Sequence, residues 1–151
     1  MPADSLVYQH LKSSGFDTII REHGLEPFDI SVQGADRTMI DKLFAIGDYY
    51  LSGTTDEHSR HVYDIHKLSE IIEVDDSFLS LMKQVGKERE PHKTCLSAQN
   101  AVNLPKLLQE IIDSEVYKSD YESKTYNMLY KKVSYDEALQ SLQKIVDELK
   151  V

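Results

Sequence analysis

The sequence predicts a mainly α-helical fold of about six helices, with one or two short strands near the N-terminus. Two observations carry this. From Asp36 to the C-terminus the apolar residues recur at helical spacing, and before that point the chain holds two short β-type runs, Thr18-Ile19-Ile20 and Phe28-Asp29-Ile30-Ser31-Val32, separated by Gly24 and Pro27. With 151 residues, 40% of them hydrophobic, the chain is long enough for one domain with its own core. The expected organisation is a single domain over 1–151, of which 1–35 is a β-containing lead-in and 36–151 the helical part.

Taken in order, residues 4–13 form a first helix, with Leu6, Val7, His10 and Leu11 at helical spacing after a capping Asp4 and a stop at Gly15. The two β-type runs follow. Two strands alone are marginal, so they read as the edge of a larger sheet. The first long helix then begins with Asp36 as its cap and buries Met39, Ile40, Leu43, Phe44, Gly47, Tyr50 and Leu51. A short turn through Leu51-Ser52-Gly53-Thr54 leads to a second helix, whose Thr54 and Glu57 have capping-box spacing and whose stripe is Val62, Ile65, Leu68 and Ile72. Asp75 or Asp76 caps a third helix that buries Phe78, Leu81, Met82 and Val85, and residues 89–103 read as a long loop. Pro105 sits in the first turn of a fourth helix burying Leu107, Leu108, Ile111 and Ile112. A tyrosine-rich fifth helix places Tyr117, Tyr121, Met128 and Leu129 on a stripe that reads as core rather than as a platform for stacking bases. Ser134 and Glu137 form a capping box for the last helix, which buries Ala138, Leu139, Leu142, Ile145, Val146 and Leu149.

Charge narrows the function. A formal net charge of −9, from 26 acidic against 17 basic residues, argues against a general nucleic-acid binder, which needs an excess of phosphate-neutralising cations, and leaves room only for a local basic pocket. The single cysteine, Cys95, cannot form an internal disulfide, the first ten residues lack a signal-peptide pattern, and no apolar run reaches membrane-spanning length. The cytoplasm is the expected compartment, with no membrane association.

The chemistry concentrates on the hairpin of residues 37–68. Lys42 and Asp64 lie on its opposite arms, each about 17 Å from the turn at 1.5 Å per residue, so they should share one height. Lys42 has Ala45, Ile46 and Tyr49 at helical spacing, and a lysine on a largely apolar face needs a partner. Asp64 lies on a polar face with Arg60, His61 and Lys67. The plainer alternatives are a local Asp64–Arg60 pair, and Lys42 extended to solvent beside Asp41. His58, His61 and Asp64, with His66 nearby, also have the spacing of metal ligands on one helix face, which would suit a metal-dependent hydrolase. Histidines beside Arg60 and Lys67 are more often solvated or hydrogen-bonded, and no metal is expected there. The sequence contains no P-loop, GxGxxG, HExxH, CxxC pair or GxSxG.

The segments Arg37-Thr38-Met39-Ile40-Asp41-Lys42-Leu43-Phe44-Ala45-Ile46 and Ser59-Arg60-His61-Val62-Tyr63-Asp64-Ile65-His66-Lys67-Leu68 resemble two neighbouring motifs of the nucleotidyltransferase toxins of the abortive-infection AbiEii/AbiGii type. The resemblance covers most of residues 20–150. It implies that Lys42 and Asp64 are active-site residues, with Arg37, Arg60, His61 and Tyr63 contacting nucleotide or phosphate or supporting the site. It also implies Mg²⁺ and a nucleoside triphosphate for a complete enzyme. The family's earlier Gly-Ser turn and Asp-x-Asp strand motif have no counterpart here, since Ser14-Gly15 and Ser52-Gly53 stand in the wrong order and context. The expectation is therefore the C-terminal helical part of such an enzyme, its early strands the remnant edge of a catalytic sheet. Such a chain would be inactive and cofactor-free by itself, its partner a missing nucleotidyltransferase half or an antitoxin-like protein. The alternative is a helical binding module for RNA or an antitoxin-like partner.

Overall fold

A computed structural model describes residues 2–150, which fall into two compact units divided between Gln33 and Gly34. The fold is mainly α, as expected.

In the N-terminal unit a two-residue strand, β1 (Pro2–Ala3), pairs antiparallel with β2 (Phe28–Asp29), in the register Pro2 to Asp29 and Ala3 to Phe28. Helix α1 (Leu6–Ser13) is capped by Ser5, whose side chain accepts the Tyr8 N–H at 3.0 Å. Asp4, the expected cap, instead binds the Gln9 amide at 2.7 Å. The run Thr18-Ile19-Ile20 is not a strand but lies in helix α2 (Asp17–Glu22). Three β-branched-rich residues with no neighbouring strand gain nothing from an extended conformation, whereas Asp17 and Arg21 suit the first and last turns of a helix. Of the second β-type run, only its first two residues pair. Ile20 is buried, while Leu6, Val7, Phe16, Phe28 and Val32 are exposed.

The C-terminal unit starts with α3 (Ala35–Ser52), whose N-cap position is Gly34 rather than Asp36. Its apolar stripe is buried as predicted through Met39, Ile40, Leu43 and Phe44. The helix ends at Gly53, whose φ of 69° lets Thr54 N–H reach back to the Tyr49 carbonyl at 2.9 Å. The link to α4 (Arg60–Ser69) is longer than the expected turn, and the Thr54/Glu57 capping box does not form: the helix starts at Arg60, and Glu57 has φ 71°. Asp75 caps α5 (Asp76–Arg89) by accepting the Phe78 N–H at 2.8 Å. Within the expected loop of 89–103 sits a 3₁₀ turn, Leu96–Ala98. Asn103 caps α6 (Leu104–Ser114), with Pro105 in the first turn.

The tyrosine-rich segment is not one regular helix. A short α7 (Lys118–Asp120) runs into a π-helical turn, Tyr121–Thr125, and then α8 (Tyr126–Met128). Its buried members are Tyr117 and Tyr121, whose hydroxyls donate to the carbonyls of Ile46 at 2.7 Å and Val133 at 3.1 Å, the condition on which a tyrosine can be buried. Met128, expected in the core, is 73% exposed because the π turn re-aims the stripe. Helix α9 (Tyr135–Leu149) begins with the predicted cap, Ser134 accepting the Glu137 N–H at 3.2 Å.

Helix α4 lies between α3 and α9, and α6 packs on α3 and α9, so that one core joins Leu43, Ile65, Leu108 and Leu142. Burying each such leucine or isoleucine contributes about 1.5–3 kcal/mol. Gly47 lets the 3₁₀ turn approach α3: a Cβ there would lie 2.8 Å from the Ser97 Cβ and 3.0 Å from Leu107. Among the described residues no helix is long and apolar enough to cross a membrane.

Candidate functional site

Helices α3 and α4 bring Lys42, His61 and Asp64 to one point. The Lys42 Nζ lies 3.0 Å from the Asp64 carboxylate and 3.1 Å from His61 Nδ1, and His61 Nδ1 lies 3.6 Å from the same carboxylate oxygen. His61 and Asp64 are three residues apart on α4 and so share a face. Because an ammonium group only donates, its bond to His61 requires an unprotonated Nδ1. A protonated Nδ1 would donate to Asp64 instead. The imidazole is thus a hinge between the cation and the carboxylate.

The electrostatics favour an ionised pair. Burial pushes the Asp64 carboxyl upward, but its contacts with His61 and with the Lys42 ammonium group outweigh it and hold the group below the usual carboxylate range. The Lys42 and Asp64 side chains are 27% and 37% exposed, so the pair is reachable from solvent while only partly screened by it.

One wall of this site is aromatic. The Tyr49 ring, two turns along α3 from Lys42, stacks on His58 at 3.5 Å with 5° between the planes, and lies parallel to His61 at 5.7 Å. His58 Nδ1 is buried with no hydrogen-bond partner among the described residues. Burial depresses the His58 pKa, and His61 and Arg60 add to the effect against Asp120 and Glu57. The link before α4 is tied down by Asp120, which accepts the Ser59 N–H at 3.2 Å and pairs with Lys124 at 3.0 Å. Ser59 and Thr125 share a buried hydroxyl contact of 2.7 Å. Burial raises the Asp120 carboxyl, yet Ser59, the Glu57 backbone and Lys124 bring it down to about 2.

The remaining sequence candidates lie elsewhere. Arg37 pairs with Glu88 at 2.6 Å and lies 3.8 Å from Asp41, in a separate network where Arg89 holds Asp41 at 3.2 Å and Asp48 at 2.9 Å. Arg60 is exposed, and Asp64 turns to Lys42 rather than to it. Tyr63 packs against the core. His66 faces α9, its Nδ1 2.8 Å from Ser141 Oγ. Sequence reasoning named Tyr49 only as a neighbour of Lys42, although its i+7 spacing was the signal for its place at the site. Asp120, 61 residues from Ser59, gave no such signal.

Among the described residues no group of three or more His, Cys, Asp or Glu side chains is placed to hold a metal ion, so a hydrolase built on His58, His61 and Asp64 has no geometric support. Nor do these residues suit Mg²⁺. A hard cation wants several oxygen ligands, whereas this site offers one carboxylate that already engages an ammonium group.

A cation and a carboxylate converge from neighbouring helices, with an imidazole between them, in a mainly helical protein. The chain belongs to the AbiEii nucleotidyl transferase toxin family of type IV toxin–antitoxin systems, whose model matches residues 4–148. No curated protein and no solved structure gave a match.

Proposed function

We propose that this chain is the C-terminal helical part of an AbiEii-type nucleotidyltransferase, in which Lys42 is the cation that meets the phosphates and Asp64 the carboxylate that orients it. The observation that carries this reading is the 3.0 Å Lys42–Asp64 contact, formed by the two motif segments that resemble the family's late active-site motifs. Phosphoryl and nucleotidyl transfer depend mostly on positioning and on charge stabilisation. In this reading Asp64 holds Lys42 in place between turnovers, and an incoming phosphate competes for the ammonium group while His61 Nδ1 remains to take up Asp64.

The paired carboxylates that would bind Mg²⁺ are absent from this set, so the chain transfers no nucleotide unaided and works with a polypeptide segment that carries them. The family's toxin–antitoxin setting adds an antitoxin-like protein as partner, and RNA is the acceptor class.

The test is incubation of purified chain with Mg²⁺ and labelled nucleoside triphosphates in the presence of RNA. No label should appear in RNA or protein. Transfer that disappears on Asp64→Ala, and so cannot be a contaminant, would overturn the proposal.

A further inference from the structure

On the far side of α3 from Lys42 lies a concave site. Phe44 is two residues, or about 200°, around the helix from Lys42, and it forms the floor of a cavity of about 520 Å³. The walls are Leu79 and Met82 of α5, Val102 just before α6 and Leu104 at its start, and Leu149 at the end of α9. The volume is within the range of small-molecule sites, and the lining is mostly apolar, as such sites are.

The polar groups are unequally arranged. Lys83 and Lys87 stand at i and i+4 on α5, on one lip of the cavity, both exposed. Neither has an ion-pair partner among the described residues, although the chain carries a net charge of −9 and its other α5 cation, Arg89, is paired twice. The single carboxylate on the lining, Glu90, is engaged by the Asn100 side-chain amide. Two exposed cations that pair with no carboxylate therefore border an apolar hollow with one carboxylate on its lining.

We propose that this cavity binds a small amphiphilic carboxylate, with its apolar body against Phe44, Met82 and Leu104 and its carboxylate between Lys83 and Lys87. The charge complementarity selects an anion over a neutral apolar molecule. The flexible thioether of Met82 suits a lining that adapts to its occupant.

Decanoate is the probe, with decanol as its neutral counterpart, titrated into protein carrying ¹³C-methyl methionine. The chain has four methionines, so the methyl signals of Met39, Met82 and Met128 separate the cavity from the deep core and from an exposed surface. Decanoate should shift the Met82 methyl in a saturable one-site titration, leave Met39 and Met128 in place, and bind about tenfold more tightly than decanol. Lys83→Ala with Lys87→Ala, both exposed and harmless to folding, should remove that tenfold preference while decanol binding stays unchanged. Equal affinity for the two probes, a shift at Met128 instead of Met82, non-saturable binding, or a preference that survives the lysine substitutions would overturn the proposal. So would a Met82 shift that depends on protein concentration in the absence of probe, because a second copy of the chain would then occupy the site.

Discussion

Replacing Lys42 by methionine and Asp64 by asparagine, singly and together, measures how strongly the two motif residues are coupled. Two unit charges about 4 Å apart attract by roughly 4 kcal/mol at an effective dielectric constant near 20. Desolvation and the ordering of two side chains remove most of this, and fully exposed pairs retain about 0.2–1 kcal/mol. The Lys42 and Asp64 side chains are 27% and 37% exposed, between the surface and the buried limits, so the coupling should be about 1 kcal/mol. Lys42→Met alone should cost about 1–2 kcal/mol, since it leaves Asp64 with only His61, and should lower Tm by about 3–6 °C. Urea unfolding of the four proteins at pH 7 supplies the cycle. The Asp64 carboxyl is depressed in the folded state, so its contribution is complete above the unfolded value of about 3.9 and is lost as pH falls through the lower folded value. A coupling below about 0.3 kcal/mol at pH 7 and low salt, or one that persists in acid, would refute the reasoning.

Asp120→Asn tests the anchor beneath the site. A carboxyl at about 2 in the folded chain against about 3.9 unfolded contributes roughly 2.6 kcal/mol at neutral pH. The wild type should lose that increment between pH 4 and 2 in urea melts, and the variant should not. Gly47→Ala should destabilise by about 1–3 kcal/mol despite the better helix propensity of alanine, because the new Cβ meets Ser97 at 2.8 Å; a variant as stable as the wild type would show that the 3₁₀ turn yields freely. Tyr117→Phe should cost about 1 kcal/mol in thermal unfolding, from the lost bond to the Ile46 carbonyl.

Much of this architecture is legible where local and global signals agree. Asp75 and Ser134 stand before strongly periodic apolar runs, and both cap the helices that those runs form. The Lys42–Asp64 meeting was legible for a partly mistaken reason. Equal counts from a short turn assumed helix on both sides, yet Lys42 is about 15 Å from the end of α3 and Asp64 only about 6 Å into α4. The difference is absorbed by the link of residues 53–59, which runs back along α3 until His58 stacks on Tyr49 at 3.5 Å. Nothing in the local sequence encodes that reversal, because the contacts that fix it, Ser59 with Asp120 and Thr125, are more than sixty residues distant. The Thr18–Ile20 helix marks the opposite limit: β-propensity in three residues is decided by whether a neighbouring strand exists. Arg37 shows that a motif's flanks need not serve its centre, since it lies five positions, about 140°, around α3 from Lys42 and pairs with Glu88.

The most direct measurement fuses the N-terminal nucleotidyltransferase half of an AbiEii family member, bearing the Gly-Ser and Asp-x-Asp motifs, to this chain and follows the incorporation of labelled nucleotide into RNA with Mg²⁺ present. Transfer by the fusion should fall about 10²–10³-fold on Lys42→Ala, the loss expected when one charge-stabilising group leaves an active site, while the unfused chain stays inactive. Transfer by the fusion that is unchanged on Lys42→Ala would contradict the role proposed for Lys42.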